Sequence, residues 1–239
     1  MWIFFEMRFL CILSAGMMLM GCERQVDNTS EIADPVEKKS DSLKLVFGVY
    51  ASDKPSEVVA QFKPLLSKLE SSLEEQLNRD VVIKIDVAPS YEEGVERVIL
   101  DKNDFSRLGP ASYVMAKKKN EGLSILAVES YKGSKTFNGV IAVHRDSTLK
   151  DLSELKGKRF AFGDQRSTIG RYVSQELLVL SGVKGADLSS YEYLKRHDAV
   201  GAAVGVERFD AGALKESTFK KLKKKGTHLK ALMKFPIVT

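Results

Sequence analysis

The order of elements along this chain of 239 residues predicts an α/β protein with mostly parallel sheets. Short β-rich runs alternate with helical repeats of apolar residues from residue 43 onward, and helix-length segments separate most of the strands. The hydrophobic content of 44% provides for one large domain or two small ones, each with a core of its own.

The first half predicts strands that are each followed by a helix. Leu43–Tyr50 alternates in hydrophobicity and is β-rich, which is typical of a strand. Pro55 lies near the first turn of a helix whose apolar residues recur at helical spacing to about Leu77. Further strands are predicted at 81–87, 105–108 and 123–131, and further helices at 91–100 and 110–118.

The second half continues the alternation. Strands are predicted at 138–144, 159–162 and 191–194, near Phe209 and near Leu232. Helices are predicted at 169–180, at 199–206 and near Phe219.

The N-terminus has the pattern of a targeting signal. Residues 9–20 form an apolar run behind Arg8, too short to span a bilayer comfortably, which is typical of a signal-peptide core. Leu19-Met20-Gly21-Cys22 resembles the lipobox of bacterial lipoproteins and predicts a signal peptide at 1–22, with Cys22 lipidated as a membrane anchor. An ordinary signal peptide or an N-terminal anchor helix are the alternatives. The polar residues 23–42 predict a disordered tether.

Composition narrows the functional classes. The net charge of +5 is compatible with an anionic ligand or a membrane surface. Both cysteines, Cys11 and Cys22, precede the predicted folded part, and the histidines at 144, 197 and 228 lack metal-ligand spacing, so we expect neither a metal nor another cofactor. No nucleophile elbow or carboxylate pair predicts an enzyme. The lysine run at 220–225 is most simply a solvated helix face, so no nucleic-acid partner is expected.

The loop at 163–170 has the strongest functional pattern. It follows a predicted strand and precedes a predicted helix, and open α/β sheets bind ligands at the carboxyl ends of their strands. A helix N-terminus attracts anions, Ser167 and Thr168 add hydroxyl donors, and Gly170 allows the backbone or a ligand to approach closely. Plain helix capping by Ser167 or Thr168 is the alternative.

Three further residues lie in loops of the same kind. Tyr113 follows the turn at 109–112 and either faces a ligand or packs in the core. His197 precedes a helix of small residues and either donates to an oxyanion or lies on the surface. Asp210, placed at the end of the strand near Phe209, either accepts a proton from the ligand or caps a helix.

Six further stretches cover most of the folded part, in the order GVYASDKPSEVVAQFKPLLSKLE, PSYEEGVERV, DFSRLGPASYVMA, FGDQRSTIGRYVSQELL, HDAVGAAVGVERFDAGA and FPIVT. Taken together, they resemble the phosphate/phosphonate-type periplasmic binding proteins (PhnD-like) that serve ABC transporters. The resemblance implies a two-lobed type II periplasmic-binding fold, with lobes at 43–135 and 136–235 and the ligand in the cleft between them. Residues 236–239 would begin a return crossover to the first lobe, so that either the sequence is a fragment or the first lobe is incomplete at its C-terminal end.

The same resemblance implies the roles of the site residues. The phosphoryl oxygens would be held by Ser167 and Thr168 with His197, faced from the first lobe by Tyr50 and Tyr113, while Asp210 would help to read the rest of the ligand. Ile169 stands where the family often has a small or hydroxyl residue. The implied function is capture of a phosphonate, phosphite or phosphate in the periplasm or at the cell surface, for uptake through an ABC permease. The alternative is a ligand-sensing subunit that feeds a membrane sensor kinase or chemoreceptor.

Overall fold

A computed structural model describes residues 42–130 and 133–238 of the chain. The predicted signal peptide, the lipidated Cys22 and almost all of the predicted tether lie outside the described residues. No helix in the described ranges combines the length and the apolar character that a membrane span requires.

The first sheet is fully parallel and has the strand order β2-β1-β3. Each strand is followed by a helix, as the sequence predicts, and α1 lays its apolar side against the sheet. The elements are β1 (Leu43–Tyr50), α1 (Pro55–Leu77), β2 (Val81–Ala88), α2 (Tyr91–Ile99), β3 (Phe105–Ser106) and α3 (Pro110–Lys119).

The second sheet is mixed and has the order β6-β5-β7-β4-β8. β5 runs parallel to both β6 and β7, whereas β4 is antiparallel to β7 and β8. The prediction of mostly parallel sheets is therefore confirmed. The elements are β4 (Thr136–His144), β5 (Arg159–Phe162), α4 (Ser174–Leu180), β6 (Ser190–Tyr193), α5 (His197–Gly205), β7 (Ala211–Lys215), α6 (Glu216–Lys224) and β8 (Leu229–Val238).

The second sheet is covered on both faces, which explains the unbroken apolar run in β4. Val140 and Ala142 belong to one buried cluster, whereas Ile141 and Val143 belong to the cluster on the opposite face. All four side chains are fully buried. Alternation along a strand sends successive side chains to opposite faces, so a strand covered twice is apolar throughout.

Two predicted strands differ from the structure. Residues 123–130 form no strand, and Leu126 is 81% exposed, since no other described segment pairs with this stretch to complete a ladder. The strand predicted near Phe209 begins later, at Ala211.

The strands β4 and β8 pair with each other across the predicted boundaries between the two lobes. Asn138 pairs with Pro236, and Gly139 with Phe235. Residues 236–238 continue β8 as far as Val238, and Thr239 lies outside the described residues. The predicted lobe boundaries remain predictions, although the first sheet lies within 43–106 and the second within 136–238.

The contact between Gly139 and Phe235 gives a test of this pairing. A Cβ atom at Gly139 would lie 2.2 Å from Cζ of Phe235, whose side chain is buried. We expect Gly139→Ala to lower the free energy of unfolding by about 1–3 kcal/mol through overpacking. In a Phe235→Leu background the clashing ring atoms are absent, so Gly139→Ala should lower the free energy of unfolding by a smaller amount.

Urea denaturation of the four proteins of this cycle measures the coupling. Gly185→Ala is the matched control, because its new Cβ atom would meet only Tyr191, at 3.7 Å, and stability should stay nearly constant. Equal losses in both backgrounds would rule out the steric explanation.

Candidate functional site

The carboxyl ends of six parallel strands meet in one cluster of polar side chains. β1, β2 and β3 supply one side, and β5, β6 and β7 supply the other. Hydrogen bonds and close contacts connect the two sides. We call the following residues the cleft cluster: Tyr50, Ser52, Tyr91, Arg107, Ser112, Ser167, Thr168, His197 and Lys215.

The turn after β5 positions Ser167. Its hydroxyl accepts a hydrogen bond from the backbone N–H of Gly170 at 2.9 Å and caps a π-helical turn, Thr168–Val173, that leads into α4. A Cβ atom at Gly170 would lie 2.8 Å from Cα of Gly163, at the end of β5, so this glycine allows a close approach of two backbone segments. Ser167 therefore does cap the helical segment, and its hydroxyl proton remains a donor.

Thr168 joins the two sides of the cleft. Its hydroxyl oxygen accepts a hydrogen bond from the backbone N–H of Ala111, in the first turn of α3, at 3.0 Å. The predicted oxyanion loop of the second sheet thus lies directly against the helix that follows β3.

Tyr50 is buried within the cluster, with 1% of its surface exposed. Its hydroxyl accepts a hydrogen bond from the backbone N–H of Gly109 at 2.7 Å and donates to the hydroxyl of Ser112 at 3.3 Å. The ring stacks on Tyr91 with 3.8 Å between centroids. Burial raises the pKa of Tyr91 well above its usual value, and Tyr50 adds to that shift, so Tyr91 remains a neutral hydroxyl.

His197 lies at the centre of the cluster and not on the surface. It is 1% exposed, its backbone N–H donates to the carbonyl of Ser52 at 2.9 Å, and its Nε2 lies 3.5 Å from the hydroxyl of Tyr91. Burial lowers the pKa of His197 well below its usual value, and Lys215 and then Arg107 lower it further. Its Nδ1 is buried and has no hydrogen-bond partner among the described residues. The site therefore contains a neutral imidazole with one unpaired nitrogen.

Tyr113 is not part of the cluster. It is half-buried on α3, and its side chain forms no hydrogen bond with the cluster in the described structure. Its neighbour Ser112 belongs to the cluster instead. Ser112 is 1% exposed, and its hydroxyl accepts a hydrogen bond from the hydroxyl of Tyr50.

Asp210 lies at the opposite edge of the second sheet. It precedes β7, and its carboxylate accepts hydrogen bonds from the backbone and guanidinium of Arg159, the first residue of β5, at 2.7–3.1 Å. The hydrogen bonds from Arg159 hold the pKa of Asp210 below its usual value. The sequence placed this residue at the wrong end of its strand, because β7 starts after it and not before it.

Sequence reasoning missed two cations of the cluster. Lys215, the last residue of β7, donates to the hydroxyl of Ser52 at 2.8 Å and lies 3.6 Å from the carboxylate of Asp53. Burial lowers the pKa of Lys215 to about 8, Arg107 adds to the shift, and Asp53 opposes it. Arg107 follows β3 and donates two hydrogen bonds to Glu129, at 2.8 and 3.0 Å. The sequence signal that could have identified these two residues was their position, because each is a charged residue at or just after the carboxyl end of a strand.

Ionic and polar contacts hold the two sides together around this cluster. Arg166 pairs with Glu92 at 2.8 Å, and Asp53 accepts a hydrogen bond from Thr218 at 3.0 Å. Glu57 on α1 pairs with two lysines of the α6 region, Lys221 at 2.8 Å and Lys225 at 3.0 Å. The two sides are therefore in direct contact around the cluster.

The donor set is suited to an oxyanion and not to a metal. Hydroxyls, an imidazole, an ammonium and a guanidinium converge, and no group of histidines and carboxylates in the described ranges has the geometry of a metal site. The family model for the periplasmic substrate-binding protein of ABC phosphonate transporters matches residues 47–238. The chain belongs to this family.

Two relatives with phosphite- or phosphonate-binding names match most of this chain in sequence. A probable ABC transporter phosphite-binding protein of Prochlorococcus marinus, PhnD1, is 26% identical over 74% of this chain. The phosphonates-binding periplasmic protein of Escherichia coli is 23% identical over 87% of the chain. The chain spans 65% and 62% of the lengths of these two relatives.

A solved structure gives the same fold. The structure of PhnD1 in complex with methylphosphonate has a TM-score of 0.66 and 25% identity, covering 82% of this chain and 72% of its own. The predicted type II periplasmic-binding fold is confirmed, and the names of the two relatives describe binding proteins and not enzymes.

The neutral imidazole gives a prediction about pH. Burial lowers the pKa of His197 in the folded protein, so below pH 6.5 the unfolded chain binds the proton more readily than the folded protein, and stability falls as the pH drops. Between pH 7.5 and 5.5, the wild type should lose more unfolding free energy than His197→Asn loses, by on the order of 1 kcal/mol.

Urea denaturation at the two pH values measures this difference. The exposed His228 supplies the control, because His228→Asn should show the same loss as the wild type. The carboxylates titrate alike in all three proteins and cancel. If His197→Asn has the wild-type pH dependence, the buried imidazole is charged and the interpretation is wrong.

Proposed function

We propose that this chain is an extracytoplasmic solute-binding protein that captures a phosphorus oxyanion, namely a phosphonate, phosphite or phosphate, for uptake through an ABC permease. The observation that supports it most directly is the convergence of hydroxyl donors and a buried neutral imidazole at the carboxyl ends of six strands. The name of PhnD1 and its complex with methylphosphonate support a ligand of this class.

Helix geometry supports an anionic ligand. α3, α5 and the helical segment that begins at Thr168 all start at the cleft cluster. The positive end of the helix dipole at such starts favours negative charge. The hydroxyls of Ser167 and Thr168 lie at the start of one of these helical segments and supply two further donors to the phosphoryl oxygens.

The unpaired ring nitrogen of His197 is consistent with a ligand that supplies the missing hydrogen bond. A buried polar atom without a partner costs about 1–3 kcal/mol, and the ring Nδ1 has none among the described residues. A phosphoryl oxygen beside this nitrogen accepts its proton if Nδ1 carries one, and a P–OH group donates to it if Nε2 does. The neutral state thus suits both ionisation states of a phosphonate.

Closure of the cleft supplies the rest of the binding energy. We propose that the lobes move about a hinge at 134–139 and 236–238, which includes paired ends of β4 and β8. Closing removes water from the oxyanion, so each donor acts in a medium of lower dielectric constant. The closed form is the one that a permease would receive. The proposal includes a lipid anchor at Cys22, which would hold the protein at the periplasmic or outer surface of a membrane, close to that permease.

The hydroxyl pair provides the first test. Ser167→Ala combined with Thr168→Val removes two hydrogen bonds to a charged ligand, each contributing about 1.5–3 kcal/mol, so methylphosphonate should bind at least about 100-fold more weakly. Isothermal titration calorimetry measures the affinity.

The control for this test is Asp151→Ala. It removes a helix cap of the same kind, since Asp151 accepts a hydrogen bond from the backbone N–H of Ser153, but it lies outside the cleft cluster. Its affinity should equal that of the wild type. An unchanged affinity in the double variant, with the fold intact, would reject the assignment of these hydroxyls.

The anchor provides the second test. Cys22→Ala should abolish incorporation of labelled palmitate and move the protein from the membrane fraction to the soluble periplasmic fraction, because the acylated thiol is lost. Cys11→Ala, within the same N-terminal segment, should leave both properties unchanged. Persistent membrane attachment of the Cys22 variant would favour an anchor helix.

A further inference from the structure

Lys215 occupies a central position in the cleft. It ends β7, which runs parallel to β5 and next to it, so its side chain leaves the same edge of the sheet as the loop that contains Ser167 and Thr168. Its ammonium group reaches across to the first sheet and donates to the hydroxyl of Ser52 at 2.8 Å. The side chain is only 19% exposed.

The partners of Lys215 do not use all of its capacity. An ammonium group has three donors, of which the contacts with Ser52 and Asp53 use at most two. The contact with Asp53 is long, at 3.6 Å, and Asp53 also accepts a hydrogen bond from Thr218, on the side of α6. A donor of Lys215 therefore remains for a ligand.

The charge that faces the centre of the cluster is positive. The charged groups that act on His197 are Lys215 and Arg107, and both lower its pKa. The neighbouring carboxylates are already engaged, Asp53 by Lys215 and Thr218 and both oxygens of Glu129 by Arg107.

Another buried carboxylate near the cluster, Asp164, accepts a hydrogen bond from the backbone N–H of Arg166 at 2.8 Å, so a ligand ammonium would have to compete with existing partners for each of these acceptors. Asp210, the residue that the sequence offered for that role, binds Arg159 at the opposite edge of the sheet. Placing a second cation beside a buried ammonium is strongly unfavourable, whereas a carboxylate there gains a charge-assisted hydrogen bond.

We propose that Lys215 makes this cleft select phosphorus oxyanions whose organic end is also anionic, such as a phosphonocarboxylate, and reject those that carry an ammonium group. This inference rests on the proposed binding function and identifies its ligand class. Lys215 binds the carboxylate, while the hydroxyl and imidazole donors bind the phosphoryl group.

The inference is tested by measuring the affinities of three phosphonates for the full chain in detergent at 0.15 M salt. Methylphosphonate, which has no charged tail, is the reference, and phosphonoacetate and 2-aminoethylphosphonate carry opposite charges. Calorimetry should show phosphonoacetate binding at least 100-fold more tightly than 2-aminoethylphosphonate. Lys215→Met should reduce that ratio at least 10-fold, and Lys215→Glu should invert it.

The reference ligand separates the possible failures. If methylphosphonate and both other phosphonates fail to bind the wild type, the proposed function is wrong and the inference fails with it. If methylphosphonate binds but the wild type prefers 2-aminoethylphosphonate or does not discriminate, the inference alone is overturned. This wild-type ratio decides the matter even if a Lys215 variant does not fold.

The control is Lys158→Met, which removes a lysine just before β5, at the amino edge of the same sheet. It changes the net charge by the same amount and should leave the ratio as in the wild type. A drop equal to that of Lys215→Met would show that overall charge, and not the position of Lys215, sets the preference.

Discussion

The cleft depends on the parallel pairing of β5 with β6 on one side and β7 on the other. Parallel neighbours end at the same edge of a sheet, so this pairing brings together three loops that are far apart in sequence. Ser167, His197 and Lys215 each leave one of these three strand ends. The antiparallel strands β4 and β8 lie outside this trio and contribute no residue to the cleft cluster. Any shift in the pairing would separate the donors.

Desolvation has different consequences for the groups of the cluster. The same burial lowers the pKa of His197 and Lys215 and raises that of Tyr91. The imidazole and the phenol remain neutral, whereas the ammonium stays largely protonated at neutral pH, because its pKa is about 8. The cleft therefore combines neutral donors with a fixed positive charge. Such a division suits a ligand that has two chemically distinct ends.

The two sheets are linked mainly by residues that belong to loops and helix starts. Thr168 contacts the start of α3, Arg166 contacts Glu92, and Lys215 contacts Ser52. Loss of such contacts would leave both cores intact, because the buried apolar clusters lie within each sheet and its helices. A cleft that opens and closes around a ligand requires this separation between rigid cores and exchangeable polar contacts.

The sequence by itself determined the alternation of strands and helices and the position of several site residues. Hydrophobic periodicity is local, so β1, α1, β2 and β5 lie within a residue or so of their predicted ranges. Tyr50, Ser167, Thr168 and His197 fall in the cleft cluster because each lies at or just beyond the carboxyl end of a predicted strand.

Only the tertiary structure decided which charged residues face the cleft. Asp210 and Lys215 lie at opposite ends of the same short strand, and an error of a few residues in its start exchanges their roles. The segment 123–130 has the composition of a strand, but a strand exists only where another pairs with it. Strand pairing and the burial of single charges arise from contacts between distant parts of the chain, and a local pattern of residues does not contain them.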